Sequence, residues 1–137
     1  DMDCGTGLLF PYIAKKVQLL IGIDTSRKLL EKTENRRKCY PNTHILLADA
    51  DHLPFQNQTF HTIIAITLIQ NIPKPLTTLK EIKRLSKNHA TIAVTGLKKE
   101  FTKKTFITTL TNAKLEISVL KTDNNLKDYI AICHACT

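Results

Sequence analysis

DMDCGTGLLFPYIAKKVQLLIGID, residues Asp1–Asp24, is the stretch that decides the fold. Gly5 and Gly7 lack a Cβ, so the backbone can turn sharply there and approach a ligand closely, and a helix beginning just after them offers free N–H groups. LLFPYIAKK (Leu8–Lys16) predicts that short helix, with Pro11 tolerated because it lies near the first turn. VQLLIGID (Val17–Asp24) is a continuous apolar run ending in an acid, as expected of a strand buried on both faces. A glycine turn of this kind normally follows a strand, yet the chain begins with Asp1 at the turn itself. The expectation is a single domain over residues 1–137 that is a fragment, its first strand missing or incomplete and the neighbouring strands left with long unpaired edges.

Beyond Asp24 the pattern repeats. Ser26 is placed to cap a helix through RKLLEKTENRRKC, in which Leu29 and Leu30 are the clear apolar positions, and YPNT (Tyr40–Thr43) breaks it. Strands follow at HILLAD (His44–Asp49) and HTIIAIT (His61–Thr67), separated by a polar loop. Pro75 fits the first position of a helix whose apolar stripe is Leu76, Leu79, Ile82 and Leu85, with Lys80, Lys83, Arg84 and Lys87 outside it. ATIAVTGL (Ala90–Leu97) is a strand, and Thr102–Asn112 a helix turning Phe106, Ile107 and Leu110 inward. Leu115–Leu120 and Tyr129–Cys133 are two strands joined by the polar turn TDNN rather than a helix. Alternating strands and helices imply an α/β fold, Rossmann-like and doubly wound, with a mainly parallel sheet. The last two strands are expected as an antiparallel hairpin at its edge.

The composition removes several classes. With 137 residues, 42% hydrophobic and 23% charged, the chain is long enough for one core and ordinary for a globular domain. No apolar run approaches the roughly 18–20 residues of a membrane span. Cys4, Cys39, Cys133 and Cys136 are too scattered for a disulfide scaffold, so reduced thiols and a cytoplasmic setting are expected. The net charge of +8 is spread over Arg36–Lys38, Lys80–Lys87, Lys98–Lys99 and Lys103–Lys104. No aromatic residues interleave with these clusters, so they fit a lysine-rich solvated surface at least as well as a face for RNA. The oligomeric state leaves no mark on the sequence.

Chemistry concentrates at the strand ends. Asp24 lies seventeen residues beyond Gly7, where a carboxylate accepts from a ribose diol in nucleotide sites, and Asp49 ends the next strand, where an acid can accept from the amino group of an adenine. At this point the sequence resembles a family. DMDCGTG is similar to the D-x-G-C-G-T-G first motif of class I S-adenosylmethionine-dependent methyltransferases. DADHLPFQNQTF (Asp49–Phe60) is similar to the DA-x-x-LPF…F stretch of their type 11 branch, which includes quinone-biosynthesis enzymes, and the likeness runs through Leu79, Lys80, Glu81, Ile82 and Arg84 to about Leu97.

The resemblance implies S-adenosylmethionine as cofactor and methyl transfer to a small-molecule or RNA acceptor, with a non-catalytic methyltransferase-like binding subunit as the alternative. It places Gly5 and Gly7, with Asp1 and Asp3, under the methionine moiety. Asp24 and Thr25 would hold the ribose, Asp49 and Ala50 the adenine, and Ile66 and Thr67 would face the methyl group and acceptor. The sequence departs from the pattern at Asp3, which replaces the first glycine, at His61, which replaces an acid, and at Lys87–Ala90, where Asn88 is expected to take the left-handed turn. No catalytic base is assigned. His52, His61 and His89 qualify by residue type alone, and a solvated histidine is the better expectation for each.

Other motifs carry less. The D-x-D-G-T motif of haloacid dehalogenase-like enzymes is broken here by the inserted Cys4. Asn71-Ile72-Pro73-Lys74 lies five residues past the alignment of the N-P-P-Y motif of N-methylating enzymes, so Asn71 is expected to be a loop residue. Cys133 and Cys136 supply one zinc-spaced pair where a structural site takes four ligands, so free thiols and no metal are expected. Cys4 is expected to pack rather than to act as a nucleophile.

Overall fold

A computed structural model describes residues 1–136, which form two compact units, Asp1–Leu53 and the residues from Pro54 onward. In the first unit α1 (Phe10–Ile13) runs into a 3-10 turn over Ala14–Lys16, followed by β1 (Leu20–Asp24), α2 (Arg27–Arg37) and β2 (Thr43–Leu47). β1 and β2 pair in parallel, from Leu20 opposite Thr43 to Asp24 opposite Leu47, with α2 as the crossover between them. Asp1–Cys4 lie along β1 in the same direction. Asp1 N donates to Ile21 O (2.8 Å), Ile23 N to Asp1 O (2.9 Å) and Cys4 N to Ile23 O (2.9 Å), with Met2 bridged to Ile23. These four residues cover part of an edge of β1 that was expected to stand unpaired.

β1 begins three residues later than the apolar run suggested. The Asn42 side-chain amide donates to Ala14 O (2.7 Å) and Val17 O (2.8 Å), which engages those carbonyls outside any strand ladder, and Leu19 is left 55% exposed. The core of this unit is Cys4, Phe10, Ala14, Leu20 and Leu30, with Ile13, Val17, Tyr40 and Ile45 packed against it. Phe10 is fully buried, and its ring presses on bare Cα atoms. A Cβ on Gly22 would stand 2.7 Å from Phe10 Cζ, and one on Gly7 2.8 Å from Phe10 Cδ2. Ser26 caps α2 by accepting from Leu29 N (3.2 Å). Leu30 faces inward and Leu29 is half-buried, while the second fully inward position of α2 is Thr33, a polar residue outside the apolar pattern.

The second unit contains β3 (Phe60–Ala65), α3 (Pro75–Leu85), β4 (Ser86–Leu97), α4 (Lys103–Asn112), β5 (Leu115–Lys121) and β6 (Asp128–Ala135). The sheet order is β3-β4-β6-β5. β3 and β4 are parallel, whereas β6 runs antiparallel to both β4 and β5, which is the expected hairpin with its second strand inside and its first at the edge. Thr102 caps α4 by accepting from Thr105 N (3.1 Å).

Three expectations for this unit need correction. The buried face of α3 is Thr78, Leu79, Ile82 and Leu85, and Leu76, in the first turn, is 37% exposed. On α4, Phe106 and Leu110 are buried but Ile107 is only half-buried at the edge of that face. The left-handed residue after α3 is His89 (φ 64°), not Asn88, because β4 already starts at Ser86 opposite Phe60 and then bulges until Thr91 lies opposite Thr62. No helix among the described residues is long and apolar enough to cross a membrane.

Candidate cofactor site

The turn after Cys4 is built on two left-handed glycines, Gly5 (φ 55°) and Gly7 (φ 73°). It delivers the Gly5 N–H to Asp24 Oδ2 (2.8 Å), while Ser26 N donates to Asp24 Oδ1 (2.8 Å). Asp24, only 3% exposed, is thereby fixed at the C-terminal end of β1, with two charge-assisted bonds repaying part of the cost of burying it. Asp3, also left-handed (φ 60°), sets its carboxyl against that of Asp24. Partial burial, and then the Asp24 charge, push the Asp3 carboxyl up to about 6.

Two residues of α2 that the sequence reading did not single out hold this turn. The Thr33 hydroxyl lies 2.5 Å from Gly5 O and 2.8 Å from Leu29 O, sharing its one proton between them, and Arg36 Nη1 donates to Thr6 O (2.7 Å). Both act on carbonyls; of the turn's own N–H groups, that of Gly5 is taken by Asp24 and that of Gly7 donates to Cys4 O (2.8 Å). Their signal in the sequence is faint: a Thr and an Arg three residues apart on an otherwise polar helix.

Asp49 stands at the same end of this unit. Pairing continues one step past β2 through Ala48 N to Asp24 O (3.1 Å), and exposed Asp49 then accepts Asp51 N on Oδ1 (2.9 Å). Asp49 therefore lies two residues beyond β2 rather than at its last position. Ala50 beside it is buried, Thr25 is exposed, and Asp1 is half-buried at the start of the pairing along β1.

Ile66 and Thr67 follow the C-terminal end of β3 in the second unit, and both are exposed. Thr67 is a β-branched residue held at φ 62°, a conformation such residues rarely take. Its N–H donates to Thr95 Oγ1 (3.0 Å) and its carbonyl accepts from Asn71 Nδ2 (2.7 Å), so the strained residue is clamped on both sides. Asn71 sits in a loop, as expected, with its amide engaged in that clamp.

Among the three candidate bases, His61 Nε2 lies 3.3 Å from Lys87 Nζ; His52, His61 and His89 are all exposed. Cys4 is buried, and burial, followed by the charge of Asp24, pushes its thiol up to about 11, which removes it as a nucleophile. Burial likewise pushes Cys133 up to about 12. Among the described residues no group of three or more His, Cys, Asp or Glu is placed to hold a metal ion.

Compared with known proteins, residues 1–94 match the family model Methyltransf_11, described as a methyltransferase domain. The chain belongs to this family. Its type 11 methyltransferase relatives include a demethylmenaquinone methyltransferase of Staphylococcus saprophyticus, 32% identical over 90 residues that make up 64% of this chain and 39% of that protein. A ubiquinone biosynthesis O-methyltransferase of Coxiella burnetii is 24% identical over 135 residues, 98% of this chain and 56% of that protein. The chain thus spans between about two-fifths and three-fifths of the length of these two curated relatives. Among solved structures, a SAM-dependent methyltransferase from Aquifex aeolicus superposes with a TM-score of 0.88 at 18% identity, over 99% of this chain and 80% of that one. That likeness supports the Rossmann-like methyltransferase fold expected from the strand and helix pattern.

Proposed function

We propose that this methyltransferase domain binds S-adenosylmethionine against the glycine turn and the C-terminal ends of β1 and β2, and serves methyl transfer to a small-molecule acceptor. The observation that carries the reading is the Gly5–Asp24–Ser26 arrangement, a buried carboxylate locked by two backbone N–H groups at a strand end. The residues present fit such a ligand. A Cβ added to Gly5 would meet nothing within 4 Å, so one flank of the turn is open, whereas the flank at Gly7 is filled by Phe10 and Thr33. Each Asp24 oxygen has spent one lone pair on a backbone N–H, and the remaining acceptor capacity suits a vicinal diol. Asp3 competes for that capacity, so Asp3 yields or shares Asp24 when a ribose is bound.

When bound, the cofactor supplies a methyl group on a sulfonium, an electrophile already activated for displacement by an acceptor lone pair. The chain's own contribution is therefore positioning and exclusion of water rather than activation of the electrophile. Asp24 fixes the ribose end, Asp49 and the Ala50 backbone receive the adenine end, and Asp1 and Asp3 place negative charge where the cofactor carries its cationic groups. For Ile66 and Thr67, which belong to the second unit, the acceptor side is what the family resemblance implies, and Thr67 is held rigid by Thr95 and Asn71. The relatives named for quinone biosynthesis support a small organic acceptor over RNA.

Isothermal titration of the protein with S-adenosylmethionine and with S-adenosylhomocysteine tests the reading. Binding of both is the expected result, with at least a tenfold loss in Asp24→Asn, a variant that should also melt lower because its amide can accept only one of the two backbone N–H groups. No binding to the complete protein would overturn it in favour of a non-catalytic binding subunit.

A further inference from the structure

A cleft of about 440 Å³ at one end of the four-stranded sheet is lined by Lys80, Lys83 and Arg84 of α3 together with Asn57, Asn88 and Cys136. Ser86, where β4 begins, and Ala135, where antiparallel β6 ends, also line it, so it lies at the N-terminal ends of β3 and β4. Ile66 and Thr67 follow the opposite end of β3, a strand length of roughly 20 Å away at about 3.3 Å per residue.

Basic residues in the last turn of a helix usually serve its unpaired carbonyls and the negative end of its dipole. That explanation is already used up here. Ile82 O and Lys83 O accept from Ser86 N, and Ile82 O accepts also from Ser86 Oγ (2.7 Å). Arg84 O accepts from Gln58 N (2.9 Å) and Leu85 O from Thr59 N (2.8 Å). The four last carbonyls of α3 are thus all satisfied without a lysine.

The remaining charges sort into one fixed and two free. Arg84 is held by both oxygens of Glu81 (2.7 and 2.6 Å), by Phe55 O (2.8 Å) and by Asn57 Oδ1 (2.9 Å), which makes it a nearly neutral floor. Because Asn57 Oδ1 accepts from Arg84, its Nδ2 is left as a donor. Among the described residues the ammonium groups of Lys80 and Lys83 have no hydrogen-bond or ion-pair partner, and no carboxylate lines the cleft. The result is a concave wall carrying two unspent ammonium groups. Its volume falls in the range of small-molecule sites. No aromatic ring lines it for stacking on a base, and its cations come from a single helix rather than from an extended stripe, which favours a compact ligand over a nucleic-acid strand.

We propose that this cleft binds a compact, phosphate-bearing small molecule with at least two negative charges, through Lys80 and Lys83. The inference does not depend on the methyltransferase reading.

The test is titration of the whole chain with pyrophosphate, comparing wild type with K80Q/K83Q and with K103Q/K104Q, which removes the same charge from exposed positions on α4. Saturable one-to-one binding that weakens at least tenfold in K80Q/K83Q and changes less than twofold in K103Q/K104Q is expected, with all three proteins melting alike. Absence of binding to wild type, or equal weakening by both double variants, would overturn the proposal. In a parallel arm, a twenty-nucleotide RNA that binds more tightly than pyrophosphate, loses affinity steeply with salt and is weakened equally by both variants would assign the charge to a diffuse nucleic-acid surface and overturn it as well.

Discussion

Asp3 carries the most unusual burden of any single residue in this chain. It stands where the family motif has glycine, adopts the left-handed backbone that glycine suits, and turns its carboxyl against Asp24. For a non-glycine residue that conformation costs on the order of 1 kcal/mol, and partial burial, followed by the facing Asp24 charge, adds a pH dependence whose sign follows from the raised pKa. Folding lifts Asp3 from 3.8 to about 6, so the folded state prefers the protonated acid. Its stabilising proton is fully present below the unfolded value and is lost as pH rises through the folded one. Melting temperatures measured between pH 4 and 7 should therefore fall for wild type relative to Asp3→Asn as pH climbs through this window. Parallel profiles for the two proteins would show that folding does not raise the Asp3 pKa. Asp3→Gly should gain about 1 kcal/mol at neutral pH from backbone relief alone. The sequence showed that Asp3 broke the motif; that its carboxyl leans on Asp24 depends on a backbone angle that no residue pattern encodes.

Among the elements, α1 and β1 show how a four-residue helix is kept in place. α1 is too short to persist by its own hydrogen bonds, and its order comes from Phe10, fully buried against the bare Cα atoms of Gly7 and Gly22. Burying that ring contributes about 2 kcal/mol, and the slot exists only while both glycines lack side chains. Gly22→Ala places a methyl 2.7 Å from Phe10 Cζ and 3.0 Å from Cys4 Sγ, so we expect a loss of about 2 kcal/mol in urea denaturation. Gly22→Ala combined with Phe10→Leu should cost less than the sum of the two single changes, because the ring causing the clash is gone. Strict additivity would mean that the ring and the methyl do not meet. The starts of α2, α3 and α4 were legible, since Ser26, Pro75 and Thr102 act through local chemistry. The inner end of β1 was not, because Asn42, more than twenty residues away in sequence, takes the Ala14 and Val17 carbonyls.

Across the whole molecule, two units each carry strands of their own, and in the four-stranded sheet the order β3-β4-β6-β5 puts β4 and β6 inside. Amides of Ile92–Thr95 and Ala131–Cys133 should be the slowest to exchange with deuterium in this unit, and those of β5 on its edge markedly faster. Equal protection of β5 and β6 would contradict the order. Sequence alone determined the alternation of strands and helices, the antiparallel close, the glycine turn and the acid at the end of β1, because each rests on local propensity, periodicity or a short motif. Only the tertiary structure decided that Thr33 and Arg36 grip the turn, that Thr95 and Asn71 clamp Thr67, and that Lys80 and Lys83 are left with unspent charge beside a cleft. Those facts depend on which distant carbonyls, hydroxyls and carboxylates folding brings within about 3 Å, and hydrogen-bond partnership at that range is a property of three-dimensional packing rather than of neighbours along the chain.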